Sequence, residues 1–357
     1  MKKRIMFFLP NLYSGGAERV TINMLRILNP KLYDIHLVLV EKKGDYISLV
    51  PKYVTIHDLK VRKTFLSIFK LRSKIEEIKP SIVYSTLLRA HVVLYLSILF
   101  KDKVYTILRN PSSPKLLLEN NQISSFLRFF VEKAYKKADL VIAQTPEMKI
   151  ELNEYHNIDI NKIKVFLNPI DTKLIDQKIS SCENPFDSSF VNVLAAGRLT
   201  QAKAFDILIY SFKNVILKND KFLLHIIGKD DGEEKKLKAI VKELKLEKYI
   251  RFLGFQENPY KFFKYSDLYV LSSRWEGLPN TVLENLYLKK PIVATRCIPF
   301  MDELISDGKN GLLVDVENKN QLTNAILNYE VIDTGYKSSL NESNVNELFD
   351  VLGDING

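Results

Sequence analysis

Short apolar runs alternate with longer helical patterns from the first residues of this chain. RIMFFLP is followed by AERVTINMLRIL and then IHLVLVE; SIVYST, KVYTIL, LVIAQT and KVFLN recur later with helical stretches between them. That alternation predicts βαβ units and a parallel sheet covered on both faces. A second series begins at VNVLAAG and continues through FLLHIIG, IRFLGF, LYVLSS, PIVATR and GLLVD. Two doubly wound domains are expected, over residues 1–172 and 191–330. Between them PIDTKLIDQKISSCENPFDSS is polar, holds two prolines and lacks a strong period, so 173–190 reads as a linker. The tail, 331–357, is polar and weakly patterned.

Length and composition agree with that division. At 357 residues the chain is too long for one small core, and a hydrophobic share of 46% is that of a globular protein. Its two cysteines, Cys182 and Cys297, lie far apart without metal spacing, which points to a reducing compartment and no disulfide framework. A cytoplasmic protein is expected. MKKRIMFFLP has an apolar run of only about six residues and no small-residue cleavage site, so it reads as a first strand, not a signal peptide. The run VVLYLSILF falls well short of the ~20 residues that a membrane span needs.

Charge is divided unevenly. Residues 1–172 hold 28 Lys and Arg against 16 Asp and Glu, or +12, whereas 173–357 hold 24 against 26, or −2. No helix-turn-helix, zinc-finger or aromatic RNA-binding pattern accompanies the basic half, which argues against nucleic acid. In QISSFLRFFVEKAYKKA and VRKTFLSIFKLRSK, large apolar residues are interleaved with Arg128, Lys133, Lys136 and Lys137, and with Arg62, Lys63, Lys70 and Arg72. Such stretches suit an anionic membrane surface, although ordinary core helices show the same period.

The chemistry concentrates at strand-to-helix turns. RWEGLPNTVLE places Glu276 before a turn and Glu284 about one helical turn after it, with Gly277, Pro279 and Asn280 at the helix start. Backbone N–H groups and the positive end of the helix dipole would face the space that Glu276 lines, a setting suited to a sugar phosphate. The strand VNVLAAG leads into Arg198, and Lys203 follows in GRLTQAKAFD, giving two cations at another such turn. Cations and N–H groups suit a diphosphate, and carboxylates suit hydroxyls. SGGAER, at 14–19, opens the first helix; Gly15 and Gly16 allow close backbone approach, but the spacing is wrong for a dinucleotide fingerprint. Asp230, Asp231 and Glu233 are the one tempting metal cluster, and no metal or other cofactor is expected.

In order, SGGAER, NPID, GRL with Lys203, IIGKDDGE, FLGF, EGLPN with its two glutamates, and DGKNGLLV resemble the retaining glycosyltransferases of family 4, with their group 1 domain, of the bacterial surface-glycan type. The resemblance implies the GT-B fold: two Rossmann-like doubly wound parallel-sheet domains facing a cleft. It implies that Arg198 and Lys203 neutralise the leaving diphosphate without a metal. Glu276 would contact the donor sugar near the reacting carbon, and Glu284 the ribose hydroxyls. The amides from Gly277 through Leu278 to Asn280 would meet sugar and phosphate. The base would lie against LGFQ, ending at Gln256, and Gly16 would approach the diphosphate across the cleft. KDDGE matches the family's glycine turn. Two departures stand out: Ala204 replaces the usual glycine after the lysine, and Arg109 with Asn110 stand where some members carry a histidine. Arg109 would touch an acceptor phosphate or be a surface-loop arginine. A final helix pair braces the N-terminal domain in the family, and here the tail is short for it.

The activity implied is transfer of a hexose or N-acetylhexosamine from a nucleotide sugar, UDP-linked by family frequency, to a polyprenyl-diphosphate-linked saccharide. The setting would be surface polysaccharide, O-antigen or glycoprotein glycan assembly, peripherally on the inner face of the membrane. The rivals are a sugar-nucleotide 2-epimerase, which needs an acid–base cluster absent here, and a non-catalytic sugar-nucleotide sensor.

Overall fold

The computed structural model describes residues 2–99, 104–119, 123–333, 335, 345 and 348. The chain divides into two compact units, one of residues 1–169 with 342–357 and one of residues 170–341. The helix Thr172–Ile179 lies in the polar stretch that suggested a junction, and it belongs to the second unit. There Asn258 and Lys264 donate to the carbonyls of Lys178 and Ile179.

The first unit is built on seven parallel strands: β1 (Lys3–Leu9), β2 (Tyr33–Leu39), β3 (Thr55–Asp58), β4 (Ile82–Thr86), β5 (Tyr105–Arg109), β6 (Leu140–Ala143) and β7 (Ile163–Val165). Their order is β3-β2-β1-β4-β5-β6-β7, and β1 pairs in register with β2 and β4 (Ile5 opposite Ile35 and Ile82). Successive side chains of β1 point to opposite faces. Met6 and Phe8 therefore enter one core, while Ile5, Phe7 and Leu9 enter the other. This is why RIMFFLP reads as continuously apolar. Val345 and Leu348 join the second of these cores; most of the tail, and with it the expected final helix pair, lies outside the described residues.

Two features of this unit escape a hydrophobicity reading. β3, with the sequence TIHD, sits at the sheet edge, where one side needs no apolar cover. It brings His57 to His36, whose ring nitrogens lie 3.0 Å apart although the residues are 21 positions apart in sequence. VRKTFLSIFKLRSK is not one helix: a 3₁₀ turn, Thr64–Ser67, precedes the helix Ile68–Ile78. That helix stops at Lys79, which turns left-handed (φ 50°) immediately before Pro80.

The second unit carries β8 (Val191–Ala196), β9 (Phe222–Ile227), β10 (Ile250–Gly254), β11 (Leu268–Leu271), β12 (Ile292–Thr295) and β13 (Leu312–Val314), all parallel, in the order β10-β9-β8-β11-β12-β13. The order reverses between β8 and β11, so the turns leaving those two strands flank the switch point where open α/β sheets bind ligands. Backbone pairing continues past the strand ends through Gly197, Gly228 and Gly254: Gly197 N donates to Ile227 O at 3.0 Å and Gly228 N to Gly254 O at 2.9 Å. The chains come so close here that a Cβ on Gly228 would lie 1.8 Å from the Gly197 carbonyl oxygen. Gly228→Ala should therefore lower the melting temperature of the second unit by roughly 5 °C or more, measured by scanning calorimetry. An unchanged melting curve would show that these strand ends are not so close.

Candidate active site

The turn after β8 holds the first cation. Arg198 follows Gly197, the chain forms a 3₁₀ turn over Gln201–Lys203, and Ala204 turns left-handed (φ 49°, ψ 39°) to start the helix Phe205–Lys218. The left-handed conformation explains the usual glycine at this step: here an alanine accepts a backbone strain that glycine avoids. Lys203 then runs back across Gly197, where a Cβ would come within 2.8 Å of its Cε. Gly197 is the space through which the ammonium reaches the switch point.

The turn after β11 supplies the carboxylate. Lys203 Nζ meets Glu276 Oε1, and the same oxygen accepts from Ser273 Oγ at 2.7 Å. Lys203 and Glu276 are half-buried. The backbones are joined as well: Ser272 Oγ donates to the Lys203 carbonyl at 2.8 Å, and Arg274 N donates to the Ala202 carbonyl at 2.7 Å. Thr295, at the end of β12, donates to the Ser273 carbonyl at 2.6 Å. Cys297 lies beside the pair; burial, with the Glu276 carboxylate nearby, pushes its thiol up to about 12, so it is a neutral wall of the site.

Beyond Glu276, Leu278 is buried and Pro279 precedes the helix Asn280–Tyr287 without a side-chain cap. The helix begins at Asn280, as EGLPN suggests, and carries Glu284 inward, where Tyr260 donates to its Oε1 at 3.1 Å. Gln256 Nε2 is turned back onto the Leu253 carbonyl at 2.6 Å.

Arg198 stands apart from the Lys203–Glu276 contact. It is exposed and pairs with Asp231 Oδ2 at 2.9 Å. Asp230 caps its own loop, accepting from Gly232 N and Glu234 N at 3.0 Å each, and Glu233 pairs with Lys236 at 3.1 Å. Among the described residues no three His, Cys, Asp or Glu side chains gather as a metal site would require.

A family model described as glycosyl transferases group 1 matches residues 176–333, and one described as glycosyltransferase family 4 matches residues 14–174. The chain belongs to the group 1 glycosyltransferases. It is 29% identical, over 90% of its length and 88% of the relative's, to the Campylobacter jejuni N-acetylgalactosamine-N,N'-diacetylbacillosaminyl-diphospho-undecaprenol 4-alpha-N-acetylgalactosaminyltransferase. It is 35% identical to an uncharacterized glycosyltransferase of Methanocaldococcus jannaschii, over 64% of this chain and 59% of that one. The fold is GT-B: the crystal structure of Anabaena HepE in complex with UDP and glucose superimposes with a TM-score of 0.76 over 97% of this chain and 94% of that one, at 20% identity.

In this glycosyltransferase the site depends on residues that motif reading passes over. Arg274 forks onto Asp206, with Nη1 to Oδ1 at 3.0 Å and Nη2 to Oδ2 at 2.8 Å; it also donates to the Gln201 carbonyl at 2.7 Å and contacts Glu317. Burial disfavours the Asp206 carboxylate, but the guanidinium outweighs it and holds its pKa below the usual range; Asp206 in turn raises that of Arg274. The clamp ties the Lys203 turn to the Glu276 turn. The available signal was position: Arg274 stands two residues before Glu276, and Asp206 three after Lys203.

In the first unit, Gly15 caps the helix Gly16–Ile27 that SGGAER predicts, and Ser14 N donates to Asp45 at 3.2 Å. Arg109 is not a surface-loop residue: at 2% exposure it ends β5, donating to Asn168 Oδ1 and, at 3.5 Å, to Thr86 Oγ1. Burial lowers its pKa, and among the described residues no carboxylate pairs with it. Its charged neighbours-to-be are neutral: burial holds His91 down at about 3 and pushes the Tyr84 and Tyr135 hydroxyls far up.

Arg274→Lys keeps the charge but loses the bidentate fork. Turnover should fall roughly tenfold, because a small misplacement of a positioned group is costly, with the melting temperature close to that of the parent. Unchanged turnover would show that the clamp does not set the Lys203–Glu276 geometry.

Proposed function

We propose that this glycosyltransferase moves a hexose or N-acetylhexosamine, with retention, from a UDP-linked donor to a polyprenyl-diphosphate-linked saccharide in surface polysaccharide, O-antigen or glycoprotein glycan assembly. The observation that carries the reading is the contact between Lys203 and Glu276 at the switch point of the second sheet. A donor diphosphate oxygen competes with Glu276 for the ammonium. Binding the donor therefore exchanges one ion pair for another and turns the carboxylate toward the sugar. Arg198, exposed on the neighbouring turn, takes the other side of the diphosphate. The N–H groups that open the helix at Asn280 face the sugar and phosphate, with Gly277 and Leu278, and Glu284 holds the ribose. The base lies against the turn that ends at Gln256.

In the transfer itself the bond from the anomeric carbon to the diphosphate oxygen breaks. The departing oxygen takes the acceptor hydroxyl's proton, and the acceptor oxygen bonds to the same face of the carbon. Lys203 and Arg198 stabilise the charge that develops on the leaving group, so no metal is needed for that step. Arg109 belongs to the acceptor side: among the described residues no carboxylate offsets its charge, and its burial leaves that charge weakly screened. The Campylobacter relative's name specifies a diphospho-undecaprenol-linked acceptor, and the Anabaena structure holds UDP, which supports both partners. Such an acceptor places the protein peripherally at the cytoplasmic face of a membrane, consistent with its basic first half; no helix among the described residues is long and apolar enough to cross a bilayer.

Transfer from a panel of nucleotide sugars to a short-chain prenyl-diphosphate saccharide, followed by mass spectrometry, tests the assignment. Lys203→Ala and Arg198→Ala should each lower turnover ~100-fold or more with the fold intact, as expected when one donor leaves a preorganised anion site. Glu284→Ala should mainly weaken nucleotide affinity. If both basic variants stay within a few-fold of the parent, the diphosphate site lies elsewhere. Interconversion of sugar nucleotides without transfer would favour an epimerase, and nucleotide-sugar binding without either reaction would favour a sensor.

Activity should also persist in EDTA. Loss in chelator, restored by Mn²⁺ or Mg²⁺, would overturn the metal-independent reading.

A further inference from the structure

Glu284 is the more deeply set of the site's two glutamates: it is 5% exposed, whereas Glu276 is half-buried. A carboxylate taken that far out of water needs hydrogen-bond donors in its place. Tyr260 supplies one from a segment that no motif marks. It opens the helix Tyr260–Tyr265 after β10, is 2% exposed, and donates its hydroxyl to Glu284 Oε1 at 3.1 Å.

The phenol is held in place by its neighbours. Its ring meets Phe263 edge-on with centres 6.0 Å apart, and Phe263 meets Tyr269 in the same way at 5.9 Å. Tyr269 donates to Thr281 Oγ1 at 2.6 Å, in the first turn of the helix that carries Glu284. Past the end of that helix, Lys290 Nζ donates to the Lys264 carbonyl at 3.0 Å, which ties the chain back to the helix of Tyr260. These contacts join the two helices without the Tyr260 hydroxyl.

What the hydroxyl does fix is the last torsion of the glutamate. Rotation about the Cγ–Cδ bond of a glutamate is broad, so rotamer preference alone sets the plane of its carboxylate poorly. With Oε1 accepting from Tyr260, that plane is set before a ligand arrives, and with it the directions of the remaining acceptor positions. A vicinal diol offers two O–H donors at a fixed spacing, so it is sensitive to this plane where a single hydroxyl is not.

We propose that Tyr260 is a positioning residue for nucleotide recognition, holding the Glu284 carboxylate in the plane that accepts both ribose hydroxyls. The proposal rests on the reading of Glu284 as the ribose carboxylate. Tyr260 acts only through Glu284 and touches no substrate.

Calorimetric titration of the full chain with UDP and with 2′,3′-dideoxy-UDP, which lacks both hydroxyls, tests it. The parent should bind UDP at least about tenfold more tightly than the dideoxy compound, as expected for hydrogen bonds to a charged group. Tyr260→Phe keeps the ring and its contact with Phe263 but removes the proton donor. It should bind dideoxy-UDP as the parent does, melt near the parent's temperature, and retain a preference for UDP of only about threefold or less. With a nucleotide-sugar donor its KM should rise while kcat stays within about twofold, since the lost interaction is one of binding. Glu284→Ala should abolish the preference, and adding Tyr260→Phe to it should change nothing further. A Tyr260→Phe protein with the parent's full preference, one that loses affinity for both ligands equally, or one too unstable to assay would make the tyrosine a fold contact and overturn the proposal while leaving the ribose assignment intact. A parent without the preference, or a Glu284→Ala protein that keeps it, would overturn the ribose assignment and the proposal with it.

Discussion

An ammonium and a carboxylate held together at the switch point of the second sheet set the requirements for the structure around them. Lys203 reaches Glu276 only because Gly197 has no side chain, and Gly197 keeps its place only because Gly228 has none either. The turns carrying the two charges leave different strands, so they must be joined independently of the charges. Ser272, the Arg274 amide and the Arg274–Asp206 fork do this. The pair is thus preorganised by neutral backbone contacts and a second ion pair between the same two turns. A diphosphate that takes the lysine from Glu276 leaves the turns in place, which is the condition for electrostatic stabilisation without reorganisation.

The strand-helix alternation and the switch-point turns were legible because they are written in short-range patterns. Apolar runs that enter cores on both faces, as β1 does, have no competing reading as surface. The helix start at Asn280 was legible from EGLPN, since glycine and proline act on the local backbone. β3 was not, because an edge strand carrying Thr, His and Asp needs only its neighbour's hydrogen bonds. The break between Ser67 and Ile68 also stayed hidden, because a 3₁₀ turn and an α-helix share their apolar spacing over so few residues.

Within the site, the charged residues that motifs carry were visible and the ones that hold them were not. Arg274 and Asp206 are 68 positions apart, and nothing local in either segment signals their fork. Arg109 shows the opposite failure: a position before Asn110 and Pro111 suggested a loop, but β5, paired between β4 and β6, carries it inside against Asn168. Fold thereby converts a candidate surface contact into a buried positive charge with neutral neighbours. Ala204 was legible as an oddity, and its positive φ gives the reason.

Calorimetric titration of UDP and of uridine, in EDTA, into the parent chain and Lys203→Met decides whether Lys203 is the seat of the donor's diphosphate. The parent should bind UDP far more tightly than uridine, added salt should narrow the gap, and Lys203→Met should lose most of it while its uridine affinity is unchanged. A Lys203→Met protein that keeps the full preference for UDP, or a parent that shows none without a divalent cation, would contradict it.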